Sequence, residues 1–263
     1  MKLCFSTLGC FDYTLDEIMD LANKYGIDAL EVRGINSVMD NLEIPEFSEQ
    51  SADKTKNILA ERGIKLYSLG TSCSFHSPEK RDDMVKAAKE NILVAKRMGF
   101  PYIRVFGNNL IGDKETCIER VGGALAELSD YAAEQGVTVL LEIHGDYNRI
   151  ETVAPVLNIV GNRKGFGLIW DVAHSDRAYG ENWQPFYEFI RPYIKHVHLK
   201  DHNNDEVITL PGEGRIPLVP IVKRLLDDGY DGYFSLEWEK KWSPEIGNVE
   251  PALDKLIDLL SEF

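Results

Sequence analysis

The chain has 263 residues, with 29 basic and 43 acidic side chains and a formal net charge of −14, which disfavours nonspecific attachment to phosphate polymers. Hydrophobic residues make up 44% and charged residues 27%, an ordinary globular balance in a chain long enough to bury a core without disulfide or metal staples. No run of about 18 apolar residues occurs, so no membrane span is expected. The N-terminus, MKLCFSTLGCFDYT, reads as a first strand rather than a leader peptide, because it lacks a long apolar stretch. Cys4, Cys10, Cys73 and Cys117 are scattered without C-x-x-C spacing, so free buried thiols and a cytoplasmic setting are expected.

Short strand-like runs alternate with longer helical patterns throughout. Residues 2–6 form a first strand, and 15–25 carry helical spacing with Thr14 as N-cap, Glu17 as capping-box partner and Gly26 as stop. A second strand follows at 29–33, a helix at 50–62, a third strand at 64–69, a helix at 79–98 and a fourth strand at 102–106. The second half repeats the pattern: helix 115–135, strand 137–143, helix 151–160, strand 166–170, short helix 183–190, strand 194–199, helix 218–228, strand 232–237 and helix 251–260. Strict alternation implies parallel βαβ units, and eight of them in this length predict an α/β chain forming a single (β/α)8 TIM barrel. An open doubly wound sheet lacks support, because no G-x-G-x-x-G follows the first strand. No linker or change of composition divides the chain, so one domain over 1–263 is expected.

Active sites of such barrels lie where the strands end. The fifth strand ends with Glu142, the sixth with Asp171 and His174 just beyond it, the seventh with His196 and His198, the eighth with Glu237. Side chains alternate along a strand, so Leu141 and Ile143 face away from Glu142, and Leu236 and Trp238 away from Glu237. Taken singly, an acid at a strand end is most often a solvated rim residue. Four consecutive strands delivering ionisable groups at one level is a different matter. Like charges that close repel unless a cation neutralises them. An oxygen-rich set with one imidazole suits Mn2+, Mg2+, Co2+ or Zn2+. His196, on the same face as His198, is expected to be a hydrogen-bonded layer residue.

These runs (LLE at Glu142, WDVAH at Asp171 and His174, HVHLKD from His196 to Asp201, GEG at Glu213, SLEW at Glu237 and YIRVFG at the fourth strand) resemble the xylose isomerase-like barrel superfamily over essentially the whole chain. Within it the chain is similar to the sugar phosphate isomerase/epimerase group. The resemblance implies one divalent metal ion, Mn2+ favoured, held by Glu142, Asp171, His198 and Glu237. It also implies that His174 touches a substrate hydroxyl and that Glu142 and Glu237 are the catalytic acid/base pair. Glutamates on opposite faces of a carbon beside a carbonyl would move a proton through a metal-stabilised enediolate. The expected partner is a small-molecule sugar, with no nucleic acid and no membrane, and a homodimer is in keeping with the group.

Further candidates for substrate contact are Arg104, which is equally suited to a structural ion pair with Glu31 or another acid, and Lys200, Glu213, Arg215 and His76. Phe106, Trp170, Trp238 and Trp242 are candidate walls of a sugar site, and Lys240 and Lys241 candidate phosphate ligands. A dehydratase of a cyclic polyol or keto acid (inosose or dehydroshikimate type) is the main alternative. An endonuclease IV-like DNA repair enzyme is disfavoured: Asn108 and Asn109 stand where further histidines would be needed, and no Asp-x-His follows the seventh strand. One metal-ligand set, not several, is therefore expected. A sugar-binding barrel without catalysis is the non-enzymatic reading, and the full four-residue set speaks against it.

Overall fold

The eight strands expected from the alternation close on themselves as parallel neighbours. A computed structural model describes residues 1–263. The strands are β1 (Lys2–Ser6), β2 (Ala29–Val32), β3 (Lys65–Ser74), β4 (Tyr102–Phe106), β5 (Thr138–Glu142), β6 (Phe166–Asp171), β7 (Ile194–Leu199) and β8 (Tyr233–Leu236). Each pairs with its neighbours in sequence, and β8 closes the barrel on β1. The outer layer comprises α1 (Leu15–Lys24), α2 (Ala52–Glu61), α3 (Arg81–Met98), α4 (Lys114–Gln135), α5 (Ile150–Val160), α6 (Val172–Tyr179), α7 (Gln184–Ile190), α8 (Leu218–Asp227) and α9 (Glu250–Leu259).

Local chemistry explains where these elements start. The α1 capping box forms as expected: Thr14 Oγ1 accepts from the Glu17 backbone N–H, and the Glu17 carboxylate accepts from the Thr14 N–H at 2.8 Å. Asp113 caps α4 by accepting from the Thr116 N–H at 2.9 Å. A core of 72 buried residues draws on both strands and helices, and all four cysteines are free, so no disulfide holds the fold. Each fully buried Leu or Ile there contributes about 1.5–3 kcal/mol.

Two features depart from the expected layout. The stretch after β6, left without secondary structure in the sequence reading, is the helix α6, so the sixth unit carries two helices. A two-stranded hairpin, Asp201–His202 with Ile208–Thr209, follows β7. Asp201 organises that loop: its carboxylate accepts from the backbone N–H groups of Gly212, Gly214 and Ile216, each at 3.0 Å. A Cβ on Gly214 would stand 2.2 Å from Asp201 Oδ1, so this position requires glycine.

The barrel interior is layered. Tyr67 packs against Tyr102, Tyr233 and the His196 ring at centroid distances of 5.1, 4.6 and 5.2 Å. Glu31 and His196 lie bonded to each other, fully buried, and His198 stands next along β7 from His196. No helix is long and apolar enough to cross a membrane.

Candidate metal centre and substrate cavity

Strand register brings the acids to one level: His198 pairs with Asp171 on one side and Ser235 on the other, and Glu142 ends β5 beside Phe106. Asp171 has a double duty set by the chain turning directly into α6. As N-cap, its Oδ1 accepts from the backbone N–H groups of Ala173 and His174 at 2.9 and 3.0 Å. Oδ2 is left facing the barrel mouth. There His198 Nδ1 lies 3.4 Å from Glu237 Oε2, 3.7 Å from Asp171 Oδ2 and 3.9 Å from Glu142 Oε2. The four residues are buried, and their donor atoms all lie within 4.8 Å of one another.

Whether these residues fit a cation is decided by their unused atoms. His198 Nδ1 and Asp171 Oδ2 are buried and make no hydrogen bond. Buried polar atoms without hydrogen bonds are costly, most clearly at His198 Nδ1, since Asp171 Oδ2 still has the Lys200 charge beside it. Three carboxylate oxygens with one imidazole nitrogen form a donor set that a single divalent ion with bonds of about 2.1 Å can span. The imidazole is also oriented for this: His198 Nε2 is 3.1 Å from Glu31 Oε1, which leaves the lone pair on Nδ1 when Nε2 donates. Glu31 Oε2 takes His196 Nε2 at 2.8 Å. Glu31 was considered in the sequence only as a partner for Arg104, and its role behind His198 went unread.

The basic residues are woven into the same cluster. Arg104 Nη1 lies 2.9 Å from Glu142 Oε2 and 3.6 Å from Glu237 Oε1, so it pairs with these acids rather than with Glu31. Lys200 is 4% exposed, not a solvated loop charge: Nζ is 2.7 Å from Glu237 Oε2, 2.8 Å from Asp171 Oδ2 and 2.9 Å from Glu239 Oε1. Its approach to Asp171 Oδ2 is a charge contact off the hydrogen-bond direction, so that oxygen remains without a hydrogen bond. Burial pushes the Glu142 carboxyl up to about 7, against the pull of Arg104 and with the repulsion of Glu237. Burial pushes Glu237 the same way, but the charges of His198 and Lys200 outweigh it and hold Glu237 well below the usual range. Burial would neutralise His198, yet Glu237, Glu31 and Asp171 together hold its proton on. A divalent cation would take the place of that proton.

His174 is buried beside His144, ring centroids 4.0 Å apart. Arg177 Nη1 lies 3.2 Å from His174 Nδ1. A guanidinium only donates, so Nδ1 accepts and Nε2 carries the His174 proton. Glu142, His144 and His174 form a second cluster of potential ligands, which the expectation of a single set did not foresee.

A cavity of about 320 Å3 opens above these residues, lined by Arg104, Glu142, His144 and Glu237 together with Arg33, Ser72, Phe106, Asn108 and Trp242. Of the expected aromatic walls, Phe106 and Trp242 are there. Trp170 instead stacks on Tyr187 at 5.0 Å within the helical layer, and Trp238 is buried with Nε1 donating to Gly247 O. Three expected substrate contacts lie elsewhere. Glu213 is exposed and pairs with Lys255 of α9 at 2.7 Å, because the loop tied down by Asp201 turns it outward. Arg215 holds Asp176 at the rim, Nε to Oδ2 at 2.7 Å. His76 is half-buried, its carbonyl accepting from Arg120, and it does not line the cavity. Lys240 pairs with Asp12, and Lys241 lies over the Phe11 ring.

Comparisons with known proteins give the chain its relatives. Fructoselysine 3-epimerase of Escherichia coli O157:H7 is 25% identical over 170 residues, 62% of this chain and 60% of that protein. Inosose dehydratase of Klebsiella pneumoniae subsp. pneumoniae is 30% identical over 169 residues, 53% of this chain and 54% of that protein. The chain thus spans 54–60% of the length of these relatives, which are enzymes of the epimerase and dehydratase type. The structure of the IOLI protein with a binding zinc atom superposes with a TM-score of 0.81 at 23% identity, covering 100% of this chain and 99% of that one. The family described as xylose isomerase-like TIM barrel matches residues 19–262, and the chain belongs to that family.

Proposed function

We propose that the protein is a divalent-metal-dependent sugar isomerase or epimerase that works by proton transfer. The observation that carries this reading is the convergence of His198 Nδ1, Asp171 Oδ2, Glu142 and Glu237 with two of those atoms lacking any hydrogen bond. These four would hold the ion, Mn2+ favoured and Mg2+, Co2+ or Zn2+ compatible with the same donors; zinc is bound by one structural neighbour. When bound, the ion polarises a substrate carbonyl and acidifies the C–H beside it.

The remaining chemistry belongs to the chain. Of Glu142 and Glu237, delivered by strands on opposite sides of β6 and β7, one carboxylate removes a proton from one face of the carbon and the other, protonated, delivers its own solvent-exchangeable proton to the opposite face. Arg104 reaches both carboxylates and fixes their positions. Lys200 and the His174 N–H supply positive charge and a donor where an enediolate oxygen develops. Phe106 and Trp242 give the sugar apolar walls.

The test is turnover of a panel of ketoses, ketose phosphates, inososes and cyclic keto acids by metal-reconstituted protein in D2O, followed by product NMR. Proton transfer places deuterium on the carbon that changes. Product formed without label would contradict it. Inosose dehydratases among the relatives support a second reading, in which the same enolate expels hydroxide; loss of water in the product identifies it.

A further inference from the structure

One base at the cavity has no acid. Arg33 follows β2, is 6% exposed and lines the cavity with Glu142 and Glu237. Its two guanidinium contacts are to neutral groups: Nη2 donates to Ser72 Oγ at 2.7 Å and Nη1 to the Met39 carbonyl at 3.1 Å. Arg104 and Lys200, buried just as deeply, each rest on carboxylates. Burying an arginine without an anion is expensive unless a ligand supplies one.

The backbone makes room for this arrangement. A Cβ at Gly70 would stand 2.7 Å from Arg33 Cδ and 3.1 Å from Arg104 Nη2, so the bare backbone there lets two arginine side chains lie together. Their mutual repulsion adds to the cost that burial imposes on Arg33. The charge of Arg104 is answered by Glu142 at 2.9 Å, whereas no carboxylate lies within 4.0 Å of Arg33, which feels Glu237 and Glu142 only at longer range.

Resting on the sugar reading above, we infer that the substrate carries an oxyanion, a carboxylate or a phosphate, that binds Arg33 and Ser72 in the cavity. A guanidinium presents a fork of N–H donors that matches either group, with the Ser72 hydroxyl beside it as a further donor. This assigns specificity to a residue at the end of β2, outside the strands that deliver the metal ligands. It also separates charged substrates from neutral ketoses of equal size.

The test pairs binding with turnover. Inorganic phosphate and acetate are titrated into the metal-loaded protein at constant ionic strength, read by tryptophan fluorescence, since Trp242 lines the cavity. The proteins compared are the wild type, Arg33→Met, Arg33→Lys and Ser72→Ala. At least one anion should bind tenfold or more weakly to Arg33→Met, with Arg33→Lys between; the anion that responds tells carboxylate from phosphate. In the turnover panel, an anionic substrate should outperform its neutral counterpart, and Arg33→Met should raise its KM far more than it lowers kcat. Equal anion binding by wild type and Arg33→Met overturns the inference, as does equal turnover of neutral and anionic partners. Arg33-dependent anion binding with no sugar turned over would sustain the anion site and sink the sugar reading instead.

Discussion

Replacing Glu31 by Gln should weaken metal binding although Glu31 does not touch the proposed ion. The carboxylate is fully buried and both oxygens are committed, Oε1 to His198 Nε2 at 3.1 Å and Oε2 to His196 Nε2 at 2.8 Å. Two N–H donors meet two acceptor oxygens, which keeps the Nδ1 lone pair of His198 free. A glutamine of the same size has one oxygen and one NH2, so one imidazole faces a donor and must shift its proton. If His198 shifts, Nδ1 carries hydrogen and no longer serves as a ligand. Loss of such a supporting carboxylate costs about 10–100-fold in metal affinity, or about 1.4–2.7 kcal/mol. Competition against a chromogenic chelator measures the affinity directly. Replacing His198 by Ala should lower it severely, and replacing His196 by Ala much less. Glu31→Gln protein that holds the ion within twofold of wild type would refute the reasoning.

Glu142→Gln and Glu237→Gln, each shown to retain metal, should cost about 10²–10⁴ in turnover rate, the usual contribution of a positioned acid or base, measured by NMR on the best substrate of the panel. Arg104→Met removes the counter-charge of a buried carboxylate and should destabilise the metal-free protein by about 3 kcal/mol in urea unfolding, the lower end for a broken buried pair, since Glu142 can take up a proton in compensation. All four thiols are buried, and burial raises those of Cys4, Cys10 and Cys73 above their ordinary range, so iodoacetamide at pH 8 should label none in the native protein and all four after unfolding, read by mass spectrometry.

The barrel was legible because each unit carries its own punctuation. The first, fourth and seventh strands fall at the residues read from the apolar runs. The α6 helix was not legible: it starts on Asp171, which also ends β6, so strand and helix share one residue with no turn chemistry between them. The candidate ligands could be found because Glu142, Asp171, His198 and Glu237 lie at or beside the ends of four successive strands. Glu31 and Arg33 could not be placed in the same way, since their partners come from far along the chain: His196 is 165 residues from Glu31, and Ser72 is 39 from Arg33. A lone acid within the apolar run ALEV was the available signal. The burial of Lys200 was not legible, because its position after a strand says nothing of the three carboxylates that close around it.

Everything assigned to Glu142 and Glu237 depends on a cation held beside them. Elemental analysis of protein reconstituted with Mn2+ or Zn2+ and then dialysed tests this most directly, with His198→Ala as the paired sample. One tightly held ion per chain, lost from the variant, is the predicted result, since the four-residue set around His198 and the Glu142, His144 and His174 cluster share Glu142. No retained ion, or three per chain as in a multinuclear nuclease centre, would contradict the account.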